Sequence, residues 1–111
     1  MEAEYTRVAN KSEIGTGKMK KVTLNGREIL IANVEGTYYA VDNLCTHFAG
    51  DLSEGVLEGN VVTCPNHGSR FDVTTGKVFS PPAEPLGRPD IEDLQTYSVK
   101  IEDQSIMLKL G

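Results

Sequence analysis

The sequence predicts an all-β protein, a small antiparallel β sandwich or barrel that carries a hairpin-rich insertion. Short apolar runs with alternating polar residues recur along the chain, and turn residues separate them. No segment shows a sustained helical period. Between Asn43 and about Pro85 the strand pieces become shorter and glycine and proline more frequent, which marks the insertion. The length of 111 residues fits one domain, residues 1–111, with a subdomain at about 43–85.

Six strands account for the framework outside the insertion. Asn25-Gly26 lies between two apolar runs and predicts a tight hairpin, because both turn residues must adopt positive φ. Ile29, Leu30 and Ile31 are consecutive, so their strand should be buried on both faces. The predicted strands are Tyr5–Ala9, Lys20–Leu24, Arg27–Val34, Thr37–Asp42, Thr96–Glu102 and Ser105–Leu110.

The insertion reads as two further hairpins. Val56–Val62 turns around Gly59, and Phe71–Phe79 turns around Thr75-Gly76. Ile91–Leu94 could form one helical turn before the last two strands.

Composition excludes several classes of function. The formal net charge of −5 argues against nucleic acid as a partner. The first residues, MEAEYTRVAN, lack the basic and apolar regions of a signal peptide, and no apolar stretch is long enough to cross a membrane. We therefore expect a cytoplasmic protein without a membrane partner. Two cysteines in that compartment indicate a metal or redox role rather than a disulfide.

All cysteines and histidines of the chain fall in two short pairs. The pairs are Cys45-Thr46-His47 and Cys64-Pro65-Asn66-His67, with the spacing C-x-H-x16-C-x2-H. The alternative, two buried cysteines and two surface histidines that bind nothing, does not account for this pairing.

Two kinds of metal centre fit these four ligands. A structural zinc takes two cysteines and two histidines in a tetrahedron, but zinc fingers usually carry the histidines together on a helix. A [2Fe–2S] centre in which two histidines replace two cysteines suits two mixed loops, since each loop can give one ligand to each iron. In that case Cys45 and Cys64 would bind one iron, and His47 and His67 the other.

Residues 45–86, CTHFAGDLSEGVLEGNVVTCPNHGSRFDVTTGKVFSPPAEPL, resemble the cluster-binding region of Rieske-type ferredoxins of oxygenase systems. The matching features are C-x-H, L-S-x-G, C-P-x-H-G, F-D, T-G and a proline segment, in that order. The resemblance implies the Rieske fold and a Rieske [2Fe–2S] cluster held by Cys45, His47, Cys64 and His67.

The same resemblance suggests which neighbours tune the cluster. Gly68 would permit positive φ or a close backbone approach, and Ser69 matches a serine that donates to a cluster sulfur, although it could equally be an ordinary turn serine. Phe71 stands where high-potential relatives have a second donor, a tyrosine. One donor kept and one missing predicts the lower part of the Rieske range of about −150 to +300 mV. Pro81-Pro82 would form a third wall of the site.

The implied function is one-electron transfer without catalysis. The partners would be a flavin reductase and a terminal oxygenase or other acceptor. A permanent subunit of a larger oxidoreductase and a structural zinc module remain as alternatives. The acidic segment Gly87–Gln95, with Asp90, Glu92 and Asp93, is either a surface loop or a docking element for a basic partner.

Overall fold

The structure is a computed structural model that describes residues 5–44, 51–65, 68–80 and 93–109. These residues form ten β-strands and two short 3₁₀ helices. The 3₁₀ helices are Lys11–Glu13 and Leu52–Glu54. The strands are β1 (Thr6–Asn10), β2 (Met19–Leu24), β3 (Arg27–Val34), β4 (Thr37–Asp42), β5 (Val56–Glu58), β6 (Val61–Thr63), β7 (Arg70–Asp72), β8 (Val78–Ser80), β9 (Thr96–Glu102) and β10 (Ser105–Lys109).

The strands form two antiparallel sheets. The larger sheet has six strands in the order β1-β10-β9-β4-β3-β2, and its two edge strands β1 and β2 lie close together, so that the sheet is nearly closed. The smaller sheet has the order β5-β6-β7-β8 and comes from the chain between β4 and β9. The predicted all-β fold with an inserted set of hairpins is therefore confirmed.

Tight turns set the register of the larger sheet. Asn25 and Gly26 both have positive φ, 52° and 80°, and Leu24 pairs with Arg27 across the turn. Glu35 and Gly36 repeat the arrangement between β3 and β4, with φ values of 53° and 93°. Such mirror-image turns match the right-handed twist of the strands that they join.

Strand β3 is buried on both faces, as its unbroken apolar run predicts. Ile29 and Ile31 point into the core inside the larger sheet, whereas Leu30 and Ala32 point into a second core under the smaller sheet, and all four are fully buried. Removing a leucine-sized side chain from water stabilises a fold by about 1.5–3 kcal/mol. The outer face of β3 therefore provides an attachment surface for the smaller sheet.

The chain returns to the larger sheet through a segment without regular secondary structure. Asp93, Leu94 and Gln95 form no helix, and Leu94 is buried in the core under the smaller sheet. The described half of the predicted turn at Ile91–Leu94 is thus not helical, while Ile91 and Glu92 lie outside the described residues. Among the residues described, no helix has the length and apolar character needed to cross a membrane.

Candidate metal centre

The four predicted ligands lie on two loops that the structure describes in part. Cys64 is described, whereas Cys45, His47 and His67 lie outside the described residues. The visible geometry is therefore that of Cys64 and of the chain segments from which the two loops leave and to which they return.

Cys64 directly follows β6 and is almost completely buried, with 2% of its surface exposed. It packs in the same core as Val62 and Phe71. Its backbone N–H donates to the carbonyl oxygen of Ser69 at 2.8 Å, and the N–H of Gly68 donates to the Cys64 carbonyl oxygen at 3.2 Å. These backbone bonds close the second ligand loop at its base, while packing in the core keeps the Cys64 side chain away from water.

Gly68 has the positive φ, +80°, that its place in C-P-x-H-G suggested. A Cβ added there would meet no described atom within 4 Å, so the requirement for glycine is one of backbone conformation rather than of space. The reverse holds at Gly55, the glycine of L-S-x-G. A Cβ at Gly55 would overlap the carbonyl oxygen of Thr63 and lie 3.2 Å from Cδ of Pro65, on either side of Cys64.

The first ligand loop is closed by a β-bridge. Leu44 pairs with Asp51, and residues 45–50 lie between them in the chain. Asn43 reinforces the closure, since its carbonyl oxygen accepts a hydrogen bond of 2.9 Å from the N–H of Leu52. The positions of both ends of this loop are therefore set by the fold.

A third closure lies where the acidic segment rejoins the sheets. The N–H of Val78 in edge strand β8 donates to Oδ1 of Asp93 at 2.8 Å, and the N–H of Leu94 donates to the carbonyl oxygen of Gly76 at 2.6 Å. The side chain of Asp93 thus bonds to the smaller sheet of its own chain. The remaining acidic residues and Pro81-Pro82 lie outside the described residues.

The sequence matches the family model described as "Rieske [2Fe-2S] domain" over residues 4–107. The chain belongs to the Rieske [2Fe-2S] domain family. The match spans both ligand pairs, and it confirms the resemblance that the spacing of those pairs suggested. Membership in the Rieske family implies a [2Fe–2S] cluster as the cofactor and removes the reason to retain structural zinc as an equal alternative.

Rieske proteins with known roles are similar to the chain over most of its length. The ferredoxin component of the naphthalene 1,2-dioxygenase/salicylate 5-hydroxylase systems of Ralstonia sp. is 46% identical over 98 residues, which is 88% of each chain. Among solved structures, the ferredoxin of carbazole 1,9a-dioxygenase from Nocardioides aromaticivorans IC177 superposes with a TM-score of 0.85 at 25% identity, covering 98% of this chain and 100% of the other. A ferredoxin solved as a complex of reduced oxygenase and oxidized ferredoxin in carbazole 1,9a-dioxygenase gives 0.80 at 28% identity, covering 97% and 94%.

Ser69 provides a structural test of whether a Rieske cluster fits these loops. Its side chain is 1% exposed, and its Oγ has no hydrogen-bond partner within the described part of the chain. A buried hydroxyl without a partner costs about 1–3 kcal/mol, so a partner beyond the described residues is expected. Because Ser69 is bonded through its backbone to Cys64, a cluster held by Cys64 would bring a sulfur acceptor to this region. The residues present fit the cluster.

Asp72 caps the turn between β7 and β8. Its Oδ1 accepts hydrogen bonds from the N–H and the hydroxyl of Thr74, at 2.9 Å and 2.6 Å, within the β7–β8 hairpin. Burial alone would raise the pKa of Asp72, but the hydrogen bonds from Thr74 and Asn60 outweigh it and leave the pKa below its usual value. The carboxylate is therefore ionised and holds the hairpin turn at neutral pH.

Sequence reasoning missed a polar network at the base of the first Rieske loop. Asn43, Asp51 and Ser53 are joined by hydrogen bonds between side chains and backbone. The one local signal was Asp51, because an aspartate often precedes a helical turn and accepts a hydrogen bond from the N–H two residues later, here that of Ser53. No local signal pointed to Asn43, whose partners lie across the loop and on β3.

Proposed function

We propose that this chain is a one-electron carrier, the ferredoxin component of a multicomponent oxygenase, which takes electrons from a flavin reductase and passes them to a terminal oxygenase. The observation that carries the proposal is the 46% identity to a ferredoxin component of dioxygenase systems over 88% of both chains. The similarity to a ferredoxin solved in complex with an oxygenase supports the direction of transfer.

The cluster would be held by the only two cysteines and two histidines of the chain. In our assignment Cys45 and Cys64 bind one iron, and His47 and His67 bind the other. When bound, such a cluster supplies a site that accepts and releases one electron at a higher potential than an all-cysteine cluster, because neutral imidazoles replace two thiolates.

The chain's own residues exclude water, orient the ligands and donate hydrogen bonds. Burial of Cys64 in the core under the smaller sheet keeps solvent from one side of the site. The buried hydroxyl of Ser69 would donate to a sulfur, which its lack of another partner among the described residues supports, and Gly68 allows the turn between Cys64 and Ser69. Phe71, fully buried in the same core, offers no such donor.

The carrier is not itself a catalyst. A terminal oxygenase needs a mononuclear iron held by further histidines and a carboxylate, and no histidine remains beyond the two assigned to the cluster.

The proposed organisation is a single Rieske domain, residues 1–111, with a cluster-binding subdomain at about 43–85. The position of the smaller sheet in the chain between β4 and β9 supports this division. We place the carrier in the cytoplasm, with redox proteins rather than nucleic acid or membrane as partners, in keeping with its net charge of −5.

Four variants and one transfer experiment test the proposal. The purified protein should be reddish-brown, contain about two irons and two sulfides per chain, and give, when reduced, an electron paramagnetic resonance signal of low average g. Cys45→Ser, His47→Ala, Cys64→Ser and His67→Ala should each lose this signal, because the chain has no substitute ligand. A colourless zinc protein, or any one variant with a full native spectrum, would contradict the assignment.

Electron transfer is tested separately from cluster binding. Dithionite-reduced protein should be reoxidised on mixing with the oxidised terminal oxygenase of a naphthalene dioxygenase system, followed by absorbance. Transfer between separately purified proteins is expected of a mobile carrier. A protein that holds the cluster but is isolated only as part of a stable larger oxidoreductase would be a permanent subunit instead.

A further inference from the structure

The base of the first ligand loop is held by polar bonds, beside the buried side chain of Leu52 that follows Asp51. Leu44 and Asp51 form the bridge that closes the loop, and Leu44 is 43% exposed. Neither residue belongs to the two apolar cores. The second loop differs, because Cys64 itself packs in a core.

Asn43 connects both ends of the first loop to the larger sheet. It is fully buried, and its Nδ2 donates to Oδ1 of Asp51 at 2.8 Å and to Oε1 of Glu28 at 3.4 Å. Its Oδ1 accepts from the N–H of Ser53 at 3.0 Å. Its backbone N–H donates to the carbonyl oxygen of Glu28 at 3.0 Å, and its carbonyl oxygen accepts from Leu52. Every polar group of Asn43 is thus used, with partners on two segments of the chain, β3 and residues 51–53.

Asp51 carries the other half of the network. Its Oδ1 accepts hydrogen bonds from both the N–H and the hydroxyl of Ser53, and its Oδ2 accepts from Nζ of Lys21 on β2 at 3.1 Å. The hydroxyl of Ser53 is the main reason that the pKa of Asp51 falls to about 2, with Asn43 and Lys21 contributing against the opposing effect of burial. Asp51 is therefore ionised, and it links the return end of the loop to β2.

We infer that Asn43 is a positioning residue for the cluster, which holds the two ends of the 45–50 segment so that Cys45 and His47 are presented in a fixed geometry. The inference rests on the proposed function and adds a residue outside the four predicted ligands. Asn43 lies two residues before Cys45, so displacement of its backbone moves the first ligand directly. Polar groups that orient ligands in this way typically alter metal affinity by about 10–100-fold when removed.

A matched control is available in Asn33, which lies on β3 near the end opposite to Glu28, the β3 partner of Asn43. Asn33 is 4% exposed, donates from Nδ2 to the carbonyl oxygen of Ile14 at 3.0 Å, and accepts from the N–H of Gly36 at 2.8 Å. Asn43→Ala and Asn33→Ala therefore both delete a buried amide that makes side-chain bonds to backbone. They differ in whether those bonds close the ligand loop.

The experiment measures three properties of the purified, cluster-loaded wild type and of both variants: thermal midpoint, half-life of iron release to a chelator, and the g values and reduction potential of the cluster. Both variants should melt earlier than the wild type. Only Asn43→Ala should release iron about tenfold faster or more, and shift or broaden the g values. Equal release rates and g values for the two variants, or a wild-type spectrum for Asn43→Ala, would overturn the inference.

A second pair of variants, each with a smaller change, tests the inference if Asn43→Ala does not fold. Ser53→Ala removes only the hydroxyl that donates to Asp51, and Ser105→Ala removes a hydroxyl that accepts from Arg7 far along the chain. Faster iron release for Ser53→Ala alone is expected, and no difference between the two would refute the positioning role. A wild-type chain without any two-iron cluster would instead show that the proposed function is wrong, and the inference would fall with it.

Discussion

Replacement of Ser69 by alanine tests the cluster environment directly. The hydroxyl of Ser69 is the sole buried side-chain polar atom in the described ranges that has no hydrogen-bond partner there, and the residue is 1% exposed. Such a group is retained only where it finds an acceptor. We propose that the acceptor is a sulfur of the cluster, which becomes more negative when the cluster is reduced and then accepts the bond more strongly.

The expected change follows from the difference in that bond between the two redox states. A hydrogen bond contributes about 1 kcal/mol net, and for a one-electron couple a tenfold change in equilibrium constant, about 1.4 kcal/mol, equals 59 mV. Loss of the donor should therefore lower the potential by about 40 mV if most of the bond energy is specific to the reduced state. The sign is negative because the reduced state loses more stabilisation than the oxidised state.

Voltammetry on immobilised wild type, Ser69→Ala and Ser105→Ala measures this shift. Ser105 is the control because its Oγ already has a partner, Nε of Arg7 at 3.2 Å. Ser105→Ala should keep the wild-type potential, which we expect in the lower part of the Rieske range. An unchanged potential in Ser69→Ala, with the cluster fully loaded, would show that the hydroxyl does not bond to the cluster.

Three further predictions concern packing, pH and tuning. Gly55→Ala should lower the thermal midpoint by about 5 °C or more, because overpacking against the backbone costs about 1–3 kcal/mol. The control Gly15→Ala, whose Cβ would meet only Cγ of Lys18 at 3.9 Å, should keep the wild-type midpoint, and equal midpoints for the two variants would contradict the close approach at Gly55. The pKa of Asp51 is lowered from 3.8 to about 2, so its contribution to the free energy of unfolding is complete above pH 3.8 and is lost as the pH falls toward 2. In thermal melts across that window the wild type should lose on the order of 1 kcal/mol relative to Asp51→Asn, a value discounted because the Asp51 side chain is 31% exposed, and parallel pH profiles of the two proteins would refute the prediction. Phe71→Tyr should raise the reduction potential by tens of millivolts, the shift expected from one added hydrogen bond to a sulfur. Phe71 is fully buried, so a variant that is less stable but keeps the wild-type potential would show that the new hydroxyl does not reach a sulfur.

The framework could be predicted from the sequence because its signals are local. Asn25-Gly26 defines a turn by itself, and the observed β3, Arg27–Val34, and β4, Thr37–Asp42, have the predicted bounds. The apolar run Ile29–Ile31 identified a strand with two buried faces, and the structure assigns a separate core to each face. Pattern and backbone geometry agree in these segments, so no tertiary information was needed.

The contacts that join distant segments could not be predicted. Leu94 resembled part of a helical turn, yet it is not helical, because its N–H donates to the carbonyl oxygen of Gly76 and its side chain enters the core under the smaller sheet. Asp93 counted as an acid available for docking, yet it accepts a hydrogen bond from the edge strand β8. Both roles depend on residues that are near in space but more than ten positions away, which no local period records.

The two ligand loops differ in how the fold supports them, and the difference has consequences for how mutations act. Cys64 itself packs in the core with Val62 and Phe71, so a change of volume in that core acts directly on a ligand of the second loop. The first loop is anchored by the buried Leu52 and also through Asn43 and Asp51, which depend on hydrogen bonds and an ionised carboxylate. Acid that protonates Asp51 should therefore loosen the side of the site that carries Cys45 and His47, whereas the apolar packing around Cys64 responds little to pH.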